Sequence, residues 1–131
     1  MMLLQNCGIM KMTKDGILFS QRNIVLVPFP YTDLSGVEQR PVLILSERNY
    51  NSKNEDIICC ALTSNLKGIN DGIKVTNKNM ESGHLDFDSV IVPCKVWTPN
   101  KNKVIKSIGK LNIEKSKEVV KFLNLHIEIE E

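Results

Sequence analysis

Residues 24–46 limit the fold more than any other stretch of the chain. Ile24 to Phe29 and Pro41 to Ser46 are short, apolar and rich in β-branched residues, and a turn-rich loop with Asp33, Ser35 and Gly36 separates them. That pattern predicts two buried strands joined by a polar connection over Tyr31 to Gln39. The loop ends in Arg40-Pro41, so an arginine stands at the mouth of an apolar strand. A guanidinium is a planar fork of donors that keeps its proton, which suits a phosphate. Pro28 inside the first run predicts an edge strand or a bulge.

Further strands follow. Asp56 to Thr63 is apolar without alternation, as in a strand covered on both faces. Gly72 to Thr76, Ser89 to Val92, Lys95 to Thr98 and Val104 to Gly109 are shorter strand candidates, with Pro93 dividing the middle pair. Asn49 to Glu55, Ser64 to Asp71 and Asn77 to Asp86 read as loops. Asn112 is placed to cap a helix whose apolar face is Ile113, Val119, Val120, Leu123 and Ile127. Many strands before one terminal helix exclude a doubly wound parallel sheet, which needs a helix after nearly every strand. The expected fold is mainly β: a small barrel of strongly bent antiparallel strands with the helix over one end or face.

Size and composition fit one domain. The chain has 131 residues, 42% hydrophobic and 24% charged, with a formal net charge of +2, too weak a balance to argue nucleic-acid binding by itself. No apolar run approaches the roughly 18 residues of a membrane span, and the first residues lack the basic and apolar regions of a signal peptide. Residues 1–12 are expected to be a loosely held appendage to a domain over 13–131, in the cytoplasm. The four cysteines, Cys7, Cys59, Cys60 and Cys94, fit no metal spacing. Cys59 and Cys60 are adjacent in a strand and should face opposite sides of the sheet as buried small hydrophobes.

Four segments together resemble the MazF/PemK (Kid-type) toxins of bacterial toxin–antitoxin pairs. They are Ile24 to Gly36; Gln39-Arg40-Pro41-Val42-Leu43-Ile44-Leu45; Ile57 to Asn65 with Thr63-Ser64; and Asp88-Ser89-Val90 with the later Ile108-Gly109-Lys110-Leu111. The resemblance implies an SH3-like barrel with a C-terminal helix, paired as a homodimer. It implies metal-independent, cofactor-free cleavage of single-stranded RNA at short sequences, which arrests translation. It also implies a cognate antitoxin with an acidic, partly disordered tail, and DNA binding in complex with that antitoxin. Three departures stand out. Arg22-Asn23-Ile24 replaces the family's Gly-Asp-Ile or Gly-Glu-Ile start, Val92 and Cys94 stand where some members carry a catalytic arginine and aspartate, and Glu38 lies two residues before Arg40.

Carried over by position, Arg40 matches the family arginine and Thr63 the family Thr or Ser after the third strand. RNA supplies its own nucleophile, the 2′-hydroxyl, so Arg40 would stabilise the phosphorane oxygens and Thr63 would donate to the same phosphate. Glu38 is the first candidate for general base and His84 the second; His126 is a poor third. Tyr31 is the expected stacking platform, and Ser64, Asn65 and Lys95 the expected substrate contacts. Trp97 is expected half-buried at a dimer seam, and Lys101 is a further phosphate candidate. Each residue also has an ordinary reading: an arginine paired with a neighbouring acid, a strand-end threonine bonded to backbone, solvated loop acids and surface lysines. The competing function is a non-catalytic protein of the same fold that binds a protein target, as a gyrase poison does, or an antitoxin.

Overall fold

The computed structural model describes residues 19–29, 38–67 and 70–131; the appendage expected over 1–12, and Tyr31, lie outside them. Among the described residues the strands are β1 (Asn23–Phe29), β2 (Glu38–Ile44), β3 (Cys59–Thr63), β4 (Ile73–Val75), β5 (Met80–Gly83), β6 (Ser89–Trp97) and β7 (Lys106–Leu111). They form one antiparallel sheet in the order β4-β6-β3-β2-β1-β7-β5. The sheet curls into a half-barrel, with helix α1 (Arg48–Lys53) between β2 and β3 and helix α2 (Ile113–His126) at the C-terminal end.

Curling gives the central strands two covered faces. Ile24, Leu43, Cys60 and Leu62 join Val119 of α2 in one buried cluster. Val25, Val27, Val42, Ile44 and Cys59 form a second cluster on the opposite face. Side chains alternate between faces along a strand, so unbroken apolar runs are what two-sided burial requires. Cys59 and Cys60 separate between the two clusters as expected. Burial pushes the Cys60 thiol up to about 12 and raises that of Cys59 further, so both stay neutral packing groups.

Several elements differ from the sequence reading. Strand β1 is interior, paired with β2 and β7, but its β7 partner stops at Leu26, so Pro28 lies past the last β7 pair. β2 begins at Glu38, not Pro41. The asparagine-rich stretch expected as loop is helix α1. The Glu47 carboxylate accepts the Asn49 and Tyr50 N–H groups at its start, and buried Asn51 donates to the Ser46 and Phe19 carbonyls. Satisfying those groups outweighs weak propensity. The loop expected over 77–86 contains β5, an edge strand on β7. Pro93 does not divide its strand: the β3–β6 register jumps from Cys60↔Val96 to Ala61↔Val92, so residues 93–95 bulge within β6.

Asn112 caps α2, its side-chain oxygen accepting the Lys115 N–H at 2.8 Å. The buried face differs from the expected stripe. Val119 is fully buried and Phe122 packs on the same cluster, while Ile113, Val120 and Ile127 are exposed.

The corner where β1 begins explains the Arg22 departure. Arg22 has φ 78°, in the left-handed region that favours glycine. Its side chain compensates: Nη1 donates to the Leu111 carbonyl at 2.8 Å and pairs with Glu81 Oε1 at 3.0 Å. The backbone of Arg22 also bonds Ile44 and Leu111. Arg22→Ala keeps the φ cost and loses those side-chain bonds, so urea unfolding should show a loss of about 1–2 kcal/mol. Arg22→Gly should recover about 1 kcal/mol of that loss; equal stability of the two variants would refute the strain account.

The hydrogen bond from Arg22, and then its charge, hold the Glu81 carboxyl below the usual carboxylate range. A lowered folded-state value adds stability above the ordinary carboxylate range and loses it as pH falls through the lowered value. The melting-temperature gap between wild type and Glu81→Gln should therefore be open at neutral pH and close in acid. A gap independent of pH would show that the pair carries no linked stability.

Candidate functional site

Strands β2 and β3 pair at Ile44↔Cys59, Leu43↔Cys60 and Val42↔Ala61, and the recorded ladder stops there. Extending that register by two residues sets Arg40 opposite Thr63. Between them lies Pro41, which has no N–H to give a ladder. β2 itself continues on its other side, with Val27↔Arg40 and Pro28↔Gln39 paired to β1. Arg40 is thus fixed on one side and open on the other.

Arg40 lies on the surface, its side chain 41% exposed. Its guanidinium carbon sits 4.8 Å from the centre of the Phe29 ring, a cation–π contact that orients the plane. Nε donates to Glu38 Oε1 at 2.6 Å, and Glu38 is itself half-exposed. The ordinary reading of Arg40 as an acid's partner is therefore realised, and Glu38 is an ion-pair partner in this state. Arg40 nevertheless lines two adjoining clefts.

Thr63 lines both clefts as well. Its Oγ1 accepts the Asn65 N–H at 3.1 Å, and Asn65 Oδ1 accepts the Lys67 N–H at 3.2 Å. The threonine's ordinary reading is realised too, and it has a chemical consequence. A hydroxyl whose oxygen accepts one bond still has its proton to donate to another group, and Thr63 lines the clefts that Arg40 lines.

Of the other expected residues, Asn65 lines both clefts, Ser64 and Glu38 one, and Lys95 the other. His84 lines the cleft of Ser64 and Glu38, with its backbone N–H on the Ile108 carbonyl. Trp97 is half-buried and lines the Lys95 cleft, its ring edge-on to Phe29 at 5.7 Å. Two candidates are placed elsewhere. Lys101 Nζ donates to the Asn51 carbonyl at 2.7 Å, and His126 stacks on Phe122 at the end of α2. Val92 is buried against the Trp97 cleft, and Cys94 is exposed in the β6 bulge. Among the described residues, no group of three or more His, Cys, Asp or Glu side chains could hold a metal ion.

Sequence reasoning missed one wall of the site. Asp86, Phe87, Lys106 and Ser107 line the His84 cleft. The available signal was Phe87, a lone aromatic set directly between two acids, Asp86 and Asp88.

A curled antiparallel sheet, one C-terminal helix and an arginine–threonine pair at an open ladder end define a small β domain with a groove beside an exposed arginine. A family model described as the PemK-like, MazF-like toxin of type II toxin–antitoxin systems matches residues 20–127. The chain belongs to that family. Solved structures share the fold. One is the Mycobacterium tuberculosis toxin MazF-mt6, with TM-score 0.66, 17% identity, and 84% of this chain and 100% of that chain covered. Another is a MazE–MazF structure from Deinococcus radiodurans, with TM-score 0.67, 18% identity, and 85% and 97% covered. A third is an endoribonuclease in complex with its cognate antitoxin from a mycobacterial species, with TM-score 0.66, 15% identity, and 86% and 97% covered. No curated protein matches the chain. No helix among the described residues is long and apolar enough to cross a membrane.

The exposure of Arg40 makes a folding prediction. An exposed ion pair contributes about 0–1 kcal/mol, so Arg40→Ala should lower stability by about 1 kcal/mol or less in a thermal or urea melt. A loss of several kcal/mol would make Arg40 a structural residue.

Proposed function

We propose that the protein is the toxin of a toxin–antitoxin pair and acts as an endoribonuclease on single-stranded RNA, without a metal ion. One observation carries the reading: the β2–β3 register sets Arg40 opposite Thr63 where the ladder opens, and both line the same groove. Family membership supports it, as does the fold shared with a mycobacterial protein described as an endoribonuclease.

The chemistry follows from what these groups donate. The substrate's 2′-hydroxyl oxygen attacks the adjacent phosphorus in line, and its proton passes to a base. Charge collects on the two non-bridging oxygens, where the Arg40 fork and the Thr63 hydroxyl donate. The bond to the 5′-oxygen breaks and that oxygen takes a proton from solvent, to which the base later returns the one it accepted. The products are a 2′,3′-cyclic phosphate and a 5′-hydroxyl. Glu38 is the assigned base: its carboxylate lies beside the guanidinium and is freed when a phosphate takes its place on Arg40. Ser64, Asn65 and Lys95 contact the strand, with Tyr31 as a stacking platform.

A homodimer and a cognate antitoxin with an acidic tail complete the proposal. Complexes of MazE with MazF are among the structures that share the fold. Exposed Ile113, Val120 and Leu125 of α2 offer such partners an apolar surface. The binding-only alternative draws on one observation, that Glu38 already occupies Arg40.

Incubation with single-stranded RNA in EDTA separates the two. Wild type should cut, leaving cyclic-phosphate ends. Arg40→Ala should lower kcat by about 10²–10³, the loss seen when one oxyanion donor is removed. Thr63→Ser should retain most activity and Thr63→Val should lose most of it. RNA left intact by folded protein at every concentration would overturn the nuclease reading.

A further inference from the structure

The groove at Arg40 has two lobes of different chemistry. They meet at Arg40, Thr63 and Asn65, which line both. One lobe, of about 400 Å³, has Phe29, Val96 and Trp97 as apolar walls, with Lys67 and Lys95 beside them. The other, of about 630 Å³, is polar: His84, Asp86 and Ser107 line it together with Phe87.

Among the described residues Phe87 belongs to neither buried cluster. It is 71% exposed, at a bend between Asp86 and Asp88. Its one hydrogen bond among the described residues is at its carbonyl, which accepts the Ser89 hydroxyl at 3.0 Å. A bare aromatic face beside polar groups suits a flat ligand with polar edges, which is what an unstacked nucleobase is. Glu38 and Asp86 line this lobe against Arg40 and Lys106, so its charges balance and it draws a phosphate less than the other lobe, where Arg40, Lys67 and Lys95 stand without an acid among the described residues. The Trp97 lobe has the opposite character. Its ring suits any base face; of its polar side chains Arg40, Thr63 and Asn65 are shared with the other lobe, and the two it holds alone, Lys67 and Lys95, suit phosphates.

We propose that the two lobes divide recognition, an inference that rests on the nuclease reading. The nucleotide on one side of the scissile phosphate lays its base on Phe87, where Asp86 accepts from an exocyclic amino group. The nucleotide on the other side is gripped at Trp97 by stacking that ignores its identity. Selectivity then falls on one flank of the cut and prefers an amino-bearing base (adenine, cytosine or guanine) over uracil, which has no such donor.

The test uses the full chain and a set of short RNAs that differ only in the two nucleotides flanking the cut. Preference should fall on a single flank and disfavour uracil there. Phe87→Ala should raise KM about tenfold, the scale of one lost base–aromatic stack. Asp86→Asn should erase the discrimination against uracil. The inference is overturned if Phe87→Ala, folded as judged by its melt, keeps the wild-type KM, or if both flanks are equally selective, or if Asp86→Asn still rejects uracil.

A second measurement separates this inference from the nuclease reading. Trp97 is the sole tryptophan, so its fluorescence reports occupancy of its own lobe by an oligonucleotide made uncleavable with a 2′-deoxy sugar at the cut. If wild type leaves RNA intact, the nuclease reading fails and this titration decides the lobes. Quenching that Phe87→Ala weakens about tenfold supports them. Absent quenching, or quenching indifferent to Phe87, overturns them.

Discussion

Pro41 cannot donate a backbone hydrogen bond, and the β2–β3 ladder ends beside it, at Val42 and Ala61. The site depends on that missing bond. Beyond it β2 and β3 are free to part, and the next residues in register, Arg40 and Thr63, become groove walls. Alternation keeps both on the face of Val42, Ala61 and Cys59, which closes over Trp97. The groove is therefore a continuation of the second core cluster, opened where pairing stops. β1 holds β2 through Gln39 and Glu38, so the opening costs no fraying on the far side.

Two contacts compete for the direction of the Arg40 guanidinium. Glu38 pairs with it and Phe29 lies beneath it. The carboxylate pair is exposed and weak, so on the proposed reading an incoming phosphate would displace it at little cost. The ring contact does not involve the carboxylate, so on that reading Phe29 would still hold the guanidinium after Glu38 is displaced, and a preset donor needs little reorganisation. Phe29 in turn meets Trp97 edge-on, which joins the guanidinium's support to the aromatic lobe.

The parts of this arrangement legible in the sequence were those set by local rules. Two-sided strands showed as unbroken apolar runs and the Asn112 cap as a side chain before an apolar face, whereas Arg40-Pro41, which read as a charge at a strand mouth, lies inside β2 and only ends its ladder with β3. What was illegible depends on distant partners. Helix α1 forms in an asparagine-rich stretch because Asn51 is buried against Phe19 and bonded by Lys101, fifty residues away. β5 has no apolar alternation and exists because β7 offers it an edge. The lobe of Phe87 needs β5, β6 and β7 to be in place, so no window of sequence contains it.

That distant wall is anchored by the residue least expected at its position. Arg22 accepts a left-handed backbone, then ties the end of β7 through Leu111 and the middle of β5 through Glu81. Further along the same edge, Gly83 faces Gly109, and a Cβ built on Gly83 would lie 2.2 Å from the Ile108 carbonyl oxygen. Only glycine allows that approach. β5 is thus clamped to β7 by a guanidinium within the strand and by bare backbone at its end. The chain leaves the clamp directly into His84, Leu85 and the bend at Phe87, with buried Leu85 held between the Asn77 amide and carbonyl oxygen. An exposed aromatic on an unsupported loop would sample many positions, whereas this one projects from a fixed base. A base laid against it loses little further freedom to the protein, which is the condition for a stacking contact to show up as affinity.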